Sequence, residues 1–392
     1  MVVRRVTVQE RRARLAVRHR HVPERRTDDV VAITDDLVAL HSTDPVTVYL
    51  SAAARMRAPA LAPLTDALYE QRSLVRHHAM RRTLWVFGPQ AARLAHGAAT
   101  VDLGRVQRRN LLRGLAEVAD DPEGWLDAAG DAVVALLAQA GPMTARAVGA
   151  ALPELTTPVP IGTGKGATLA PAHTRVLLVL GFDGRVLRAH PTGTWINGQY
   201  HWAAAHTWLP AGLGEPLDRR TAAAGLARRW LWTFGPATAA DLAWWAGWTV
   251  AVTRQALTDV GAVEVDLDGT PGFLRPDDVD EPPPAPPSAL LLPGLDPSTM
   301  GWKQRAFHLD PRHVPVLFDR NGNGGPTVWA DGRIVGGWVQ RRDGTLAMRL
   351  LTDIGAEQRE AIERSAHTVE SLLGTTRFSV RFAAPLQAEL LG

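Results

Sequence analysis

His41, Ser42 and Thr43 form a run of polar residues directly before an Asp44-Pro45 pair, and their side chains are of types that can act on water. Imidazole changes its charge near neutral pH, so His41 could hold or deprotonate a water molecule, and the Thr43 hydroxyl could give that water a second hydrogen bond. We expect the Ser42 side chain to point away from it. Asp44 could stabilise a developing positive charge, although capping of the following helix explains this residue more simply.

Two predicted helices hold these residues between them. The upstream helix starts at Thr27-Asp28-Asp29, which offers a capping hydroxyl and acids for the first turn. Its buried face is indicated by apolar residues at spacings of three and four, namely Val30, Ile33, Leu37 and Leu40. Asp44 and Pro45 start the downstream helix as its N-cap and first helical residue. His41 is thus predicted to lie at a helix C-terminus, where the helix dipole would raise its pKa.

The composition argues against several other kinds of protein. The chain has 392 residues, a net charge of +3 and 46% hydrophobic residues, enough for several globular domains, and no apolar run approaches the ~20 residues that cross a bilayer. It has no cysteine, which excludes disulfides, thiolate catalysis and cysteine-ligated zinc. The pairs His19 with His21 and His77 with His78 lack supporting carboxylates, so we expect neither a metal nor a cofactor. Because the first thirty residues contain no secretory pattern, we expect a cytoplasmic protein, and we expect a monomer.

Repeated patterns predict three tandem winged helices, each a helix-turn-helix variant with a β-hairpin wing. In the first, helices precede two strands around a basic bend between residues 73 and 87. The second and third share the phrase Gly-Pro-x-Thr-Ala, at residues 141–145 and 235–239, in which Thr is expected to cap a helix. β-like stretches follow at 176–202 and 261–274. The predicted units span residues 1–90, 91–212 (with a helical connector) and 213–281.

A proline-rich linker at residues 281–287 separates these units from a β-rich domain at residues 288–392. Turn sequences at 321–325, 331–332 and 343–344 alternate with predicted strands. One predicted helix, at 356–373, precedes a closing strand at 377–382. These signals predict a small β-barrel, which makes the whole protein α+β.

The segment from His41 to Pro45, with Tyr49-Leu50-Ser51 and Arg55, resembles the signature region of the winged-helix DNA glycosylase superfamily, which includes azinomycin-resistance and bacterial crosslink-repair enzymes. The runs at residues 291–297, 301–305 and 328–336 are similar to the family's C-terminal barrel. In the family, a leucine is followed by Gln, any residue, and then Gln or Asp, and these two polar side chains act on the attacking water. His41 and Thr43 occupy those positions here.

The resemblance implies a DNA-repair glycosylase that hydrolyses the N-glycosidic bond of alkylated or bulky purine adducts in double-stranded DNA, with His41, Thr43 and Asp44 as catalytic residues. A glycosylase that also cuts the strand forms a Schiff base through an amine. Because Lys165, Lys303 and the N-terminus are the only candidate amines, the sequence predicts a monofunctional enzyme. The alternative is a DNA-binding regulator or lesion sensor that keeps the scaffold without catalysis.

Three stretches are candidates for DNA contact: the first wing, the glycine-rich loop at residues 162–166, and the start of the C-terminal domain. Arginine matches a phosphate in two-point fashion, a glycine loop lets backbone approach a phosphate, and a tryptophan could stack on or replace a flipped base. The candidate residues are Arg76, His77, His78, Arg81, Arg82, Lys165, Trp302, Lys303 and Arg305. Other tryptophans at helical spacing are expected to be core, including Trp244, Trp245 and Trp248.

Overall fold

A computed structural model describes residues 3–162 and 168–392, which form helices and small antiparallel sheets. Within these residues, no helix combines the length and the apolar character needed to cross a membrane. The predicted phosphate-binding residue Lys165 lies outside the described residues.

The first unit combines helices with a three-stranded sheet. Its elements in chain order are α1 (Val8–Arg18), α2 (Val30–Asp36), β1 (Leu40–His41), α3 (Pro45–Ala53), α4 (Ala62–Thr65), β2 (Val75–His78) and β3 (Leu84–Phe87). The sheet order is β1-β3-β2, and β1 pairs with β3 through Leu40 with Val86 and His41 with Trp85. The sequence predicted the β2–β3 hairpin but not β1, because two residues are too few to show strand alternation.

A helical connector leads into the second unit. The elements in chain order are α5 (Pro89–Ala95), α6 (Val101–Leu115), α7 (Pro122–Ala140), α8 (Ala145–Ala151), β4 (Pro158–Ile161), β5 (Thr168–Pro171), α9 (Ala172–Phe182), β6 (Val186–Pro191), β7 (Tyr200–Ala204) and α10 (Ala205–Trp208). The β-like stretch predicted at 176–202 therefore begins as a helix. Val176, Leu177 and Leu180 of α9 are buried against α7, and that packing decides between helix and strand for an apolar run.

The third unit repeats the pattern of helices followed by a hairpin. Its elements are α11 (Arg219–Phe234), α12 (Ala239–Ala246), α13 (Val250–Val260), β8 (Val263–Leu267) and β9 (Thr270–Leu274). The shared phrase functions as predicted in both later units. The Thr144 hydroxyl accepts a hydrogen bond from the Ala147 N–H at 3.1 Å, and the Thr238 hydroxyl accepts one from the Asp241 N–H at 3.1 Å. Each threonine is the N-cap of its helix.

The C-terminal domain contains a four-stranded antiparallel sheet in the order β10-β11-β12-β13. Its elements are β10 (Ala289–Leu292), α14 (Pro297–Met300), α15 (Val314–Leu317), β11 (Thr327–Ala330), β12 (Arg333–Gln340), β13 (Leu346–Leu350), α16 (Gly355–Leu373) and α17 (Pro385–Leu391). The predicted long helix is present. The predicted barrel is not closed among the described residues, because the edge strands β10 and β13 do not pair with each other. α16 packs on β10 and β11. The segment predicted as a closing strand, 377–382, is irregular.

The three units share one detail of topology at the junction that precedes α3, α8 and α12. In each unit, residues at this junction pair with the second strand of the hairpin: Leu40 and His41 with β3, Met143 with Trp202 of β7, and Ala237 with Phe273 of β9. In the later units the capping threonine follows at once. The first unit has two additional residues, Ser42 and Thr43, between the paired His41 and the Asp44 cap.

A buried ion pair anchors the first unit to the C-terminal domain. The Arg55 guanidinium, just after α3, donates to both carboxylate oxygens of Asp296 at 2.8 and 2.9 Å, and both side chains are fully buried. The Thr47 hydroxyl on α3 also donates to the Gly294 carbonyl at 2.6 Å. α3, which begins directly after the candidate catalytic residues, is thereby fixed at two points along its length.

Candidate active site

The polar run lies at the edge of the first sheet, where β1 ends and α3 begins. The Ser42 N–H donates to the Leu84 carbonyl at 2.8 Å, which extends the pairing of β1 with β3 by one residue. At the other end, an oxygen of the Asp44 carboxylate accepts the Val46 N–H at 3.1 Å and caps α3. The backbone of Thr43 is therefore held from both sides.

The environment of His41 keeps its imidazole neutral. The ring is partly buried, and its centroid lies 4.5 Å from that of Trp85, its cross-strand partner. Burial lowers the pKa of His41 to about 3, with a further contribution from the positive charge of Arg81. The expectation of a raised pKa was wrong because α2 ends at Asp36, so His41 belongs to a strand and receives no helix dipole.

The orientation of the His41 ring determines which nitrogen remains for a ligand. The Thr43 N–H points at His41 Nδ1 from 3.4 Å, so Nδ1 acts as the acceptor. In a neutral imidazole the other nitrogen, Nε2, then carries the proton and can only donate. His41 in this arrangement can hold the oxygen of a water molecule but has no free lone pair with which to deprotonate it.

Thr43 and Asp44 supply the remaining oxygens of the site. The Thr43 hydroxyl is buried and has no hydrogen-bond partner among the residues that the structure describes, so it is available to a water molecule. The Thr43 carbonyl accepts a hydrogen bond from the Arg381 guanidinium at 2.8 Å. Burial raises the pKa of Asp44, against the opposing effects of its helix cap and of Arg381.

Ser42 points into the protein, as expected for the middle residue of the motif. Its hydroxyl accepts the Nε–H of Arg76 at 2.8 Å, and another nitrogen of the same guanidinium donates to the Tyr69 hydroxyl at 2.8 Å. The Arg76 side chain is 2% exposed and also lies over the Tyr200 ring at 4.4 Å. Arg76 therefore links strand β2 to the backbone that carries His41 and Thr43.

The turn between β2 and β3 carries two arginines in an uncommon backbone conformation. Arg81 and Arg82 have φ values of 57° and 63°, in the left-handed region that non-glycine residues seldom adopt. Both side chains are exposed, and the Arg81 guanidinium lies over the Trp244 ring at 4.5 Å. The Arg305 guanidinium approaches the same ring at 5.2 Å. Two arginines thus contact the Trp244 ring, and the charge of one of them, Arg81, also acts on His41.

A protein-family model described as DNA glycosylase AlkZ-like matches residues 34–372, a range that includes His41, Thr43 and Asp44. The chain belongs to the AlkZ-like DNA glycosylase family. Its structure is similar to that of Streptomyces sahachiroi DNA glycosylase AlkZ, with a TM-score of 0.72 and 21% sequence identity over 96% of this chain and 99% of that chain. At this identity the structural match concerns the fold. No curated protein matches the chain.

Membership of the AlkZ-like family supports a DNA glycosylase type of function with DNA as the substrate. Several residues predicted to contact that DNA are not free to do so in this structure. His77 is 1% exposed and its Nε2 lies 3.0 Å from Nδ1 of His96, and Arg76 is buried as described. His78 stacks on Phe182 at 4.6 Å. Arg76, His77 and His78 belong to β2, which contacts α5, α9 and β6, and of the basic run only the turn residues Arg81 and Arg82 are exposed.

Trp302 was also predicted to stack on or replace a flipped base, and this prediction was wrong because the ring is buried. Its ring is 2% exposed, its indole N–H donates to the Phe234 carbonyl at 2.9 Å, and it stacks on His19 at 5.7 Å. The neighbouring Lys303 side chain is exposed. Arg305 is partly buried, and burial lowers its pKa to about 10 despite the nearby Asp241 carboxylate.

Sequence reasoning missed two residues beside the AlkZ-like motif. Trp244 was expected to be core, yet it is only partly buried and contacts Arg81 and Arg305. The adjacent Trp245 is the core residue, at 4% exposure. Consecutive residues of a helix point about 100° apart, so both tryptophans could not face one core, and this was the available signal. Nothing in the local sequence placed Arg381, which is remote in the chain, against the Thr43 carbonyl.

Proposed function

We propose that this AlkZ-like protein is a monofunctional glycosylase that hydrolyses the N-glycosidic bond of alkylated or bulky purine adducts in duplex DNA. The observation that carries the proposal is the convergence of a neutral His41 and an unpartnered Thr43 hydroxyl at a backbone held by β1 and α3. The proposed scaffold consists of three tandem winged helices. Their shared junction pairing and hairpin order support this assignment.

In the proposed reaction, the nucleotide leaves the base stack so that a water molecule can reach its sugar. The His41 Nε2–H donates to the water oxygen, and the Thr43 hydroxyl accepts a hydrogen bond from the water. As the water oxygen bonds to C1′, the bond from C1′ to the purine breaks and its electron pair leaves with the base. The Asp44 carboxylate takes the water proton and offsets the positive charge of the sugar, and its burial-raised pKa suits it to this role.

The choice of water over an amine nucleophile rests on the lysine content. Lys165 and Lys303 are the only lysines in the sequence. The Lys303 backbone N–H donates to Asp241 at 3.0 Å, which places this residue at the cap of α12 in the third unit. Neither lysine is part of the His41 motif, so a Schiff base followed by strand cleavage is not part of the proposal.

The test is release of free base from duplex DNA containing N7-alkylguanine, comparing the natural protein with His41→Ala. We expect single-turnover release to fall by roughly 100- to 10,000-fold, the usual size of such catalytic contributions. His367→Ala is the matched control, because this histidine lies on α16 with a side chain 83% exposed. Gel electrophoresis of the same reactions should show intact strands until the abasic sites are cleaved by alkali.

The competing function is DNA binding without catalysis. It is favoured if neither simple nor bulky adducts are released while the natural protein still binds the duplex. Equal release by the natural protein and by His41→Ala would place the chemistry at other residues and overturn the assignment of the site.

A further inference from the structure

A cleft of about 610 Å³ lies beside the first wing, between α6, β4 and α9. Its volume is in the range of ligand-binding pockets, but neither the motif residues nor their partners line it. Ile161 and Leu178 contribute apolar surface, and Gln107 and Asn110 contribute amides from one side of α6. The rim carries Arg82 from the β2–β3 turn, so the cleft adjoins the candidate active site without being part of it.

The charge of the cleft is positive and is not neutralised by nearby carboxylates. Arg82, Arg113 and Arg175 line it, with Glu117 as the single acidic lining residue. Within residues 3–162 and 168–392, none of these three guanidinium groups forms an ion pair or a side-chain hydrogen bond. The Arg175 Nε–H is buried without a partner, and the Gln107 amide nitrogen is also buried without one in the same described residues. Buried donors without acceptors are costly, which points to an anionic ligand.

The strained turn connects this cleft to the active site. Arg81 and Arg82 both have left-handed backbone angles, a conformation that is unfavourable for non-glycine residues and is concentrated at functional sites. The two side chains diverge: Arg81, whose charge acts on His41, lies over Trp244, and Arg82 lines the cleft. Arg81 and Arg82 are consecutive residues, so their Cα atoms are only about 3.8 Å apart. One DNA strand that places a phosphate at Arg81 can therefore place a neighbouring phosphate at Arg82 on the cleft rim.

We infer that this arginine-lined cleft binds backbone phosphates of the DNA strand on one side of the extruded nucleotide. The inference rests on the proposed action on DNA and adds to it a second, separate contact surface. Arginine forks match phosphate oxygens in bidentate geometry, and the three arginines along this cleft, which have no ion-pair partner in the described part of the chain, fit consecutive phosphates of a single strand. The apolar surface formed by Ile161 and Leu178 accommodates the sugars between those phosphates.

The test measures the salt dependence of binding to an undamaged duplex, so it does not require glycosylase activity. Arg113→Ala/Arg175→Ala removes two cleft cations, while Arg113→Lys/Arg175→Lys keeps both charges. The matched control, Arg359→Ala/Arg364→Ala, removes two exposed cations from α16. The magnitude of the slope of log K against log salt concentration should fall by about 2 in the alanine variant, because each lost phosphate contact reduces it by about 1.

Retention of nearly the full slope in the lysine variant, together with loss in the alanine variant, supports a phosphate contact made by charge. A slope in the cleft alanine variant equal to that of the α16 control overturns the inference. Thermal melting of each variant, followed by circular dichroism, shows whether the variant is folded under the conditions of the binding measurement. If no variant and no natural protein releases base, the proposed glycosylase activity fails while the slope still reports on the cleft.

Discussion

At the scale of single residues, the chemistry proposed here depends on the protonation state of His41. Burial and the Arg81 charge lower the pKa of this imidazole to about 3, and the Thr43 N–H occupies Nδ1. The side chain is then a neutral hydrogen-bond donor at pH 7. A glutamine amide can donate a hydrogen bond in the same way. As a hydrogen-bond donor in this site, the neutral His41 imidazole is therefore closer to a glutamine amide than to a free imidazole, which is protonated below about pH 6.5.

This protonation state predicts the pH dependence of catalysis. Since His41 stays neutral from about pH 5 to pH 8, the single-turnover rate of base release should show no inflection from its titration in that interval. His41→Gln should retain most of the activity because it keeps a donor, whereas His41→Ala should not. An inflection near pH 6.5 in the natural protein that disappears in His41→Gln would contradict this prediction.

At the scale of secondary-structure elements, the helix caps are the features that the sequence predicts best. Thr238 and Asp241 form a reciprocal capping box on α12, and Asp241 additionally accepts the N–H groups of Lys303 and Gln304 at 3.0 and 2.8 Å. The cap of α8 at Thr144 has a hydroxyl contact only, with the Ala147 N–H. The same sequence phrase thus caps α8 through a single hydroxyl contact. At α12 its capping box also connects the third unit to the C-terminal domain, through the contacts of Asp241 with Lys303 and Gln304.

The difference between the two caps can be measured. Thr238→Ala is expected to lower the free energy of unfolding by about 1–2 kcal/mol, because the buried Asp241 carboxylate also loses the hydroxyl donor. Thr144→Ala should cost about 0.5–1 kcal/mol, the range for a cap without that second contact. Urea denaturation of both variants tests this order. An equal loss at both positions would show that the contacts of Asp241 do not depend on the capping hydroxyl.

The elements that the sequence did not predict depend on partners far along the chain. β1 exists because Leu40 and His41 pair with Val86 and Trp85, and two residues carry no periodic signal of their own. Burial of Arg76 requires Tyr69 and Tyr200, which enclose its guanidinium from two other elements. The basic run of β2 therefore resembled a solvated DNA-binding edge in the sequence, although Arg76 and His77 are buried in the structure. Helix caps and turns could be predicted from the sequence because they depend on neighbouring residues. The burial of side chains such as Arg76 could not, because it depends on residues far along the chain.

At the scale of the whole molecule, buried histidines make the assembly of the first unit, third unit and C-terminal domain sensitive to acid. His19 and His21 both contact the Ser298 hydroxyl, at 2.8 and 3.0 Å, next to the buried Arg55–Asp296 pair. His308 stacks on Trp329 at 5.4 Å. Burial lowers the pKa of His19 to about 3, and it lowers the pKa values of His21 and His308 well below 6.5.

These histidines bind protons more readily in the unfolded chain than in the folded protein, so folding stability falls as the pH decreases. Their contribution is complete above pH 6.5, the ordinary pKa of histidine, and is lost progressively as the pH falls from 6.5 toward 3. The free energy of unfolding, measured in urea across this interval, should therefore decrease steadily toward acid. The carboxylates that titrate below about pH 5 contribute to the lower part of the interval, so a variant is needed to isolate one histidine.

His308→Phe isolates that contribution, because both ring nitrogens of His308 are buried without a hydrogen-bond partner among the described residues and its neighbours are aromatic. Phenylalanine should preserve the stacking on Trp329 and remove one titrating group. The pH dependence of unfolding free energy should then weaken by up to about 1.4 kcal/mol per pH unit below pH 6, the value for one proton. His367→Phe, on exposed α16, should leave the dependence unchanged. A His308→Phe profile that coincides with the natural one would mean that His308 is protonated in the folded protein, contrary to its burial.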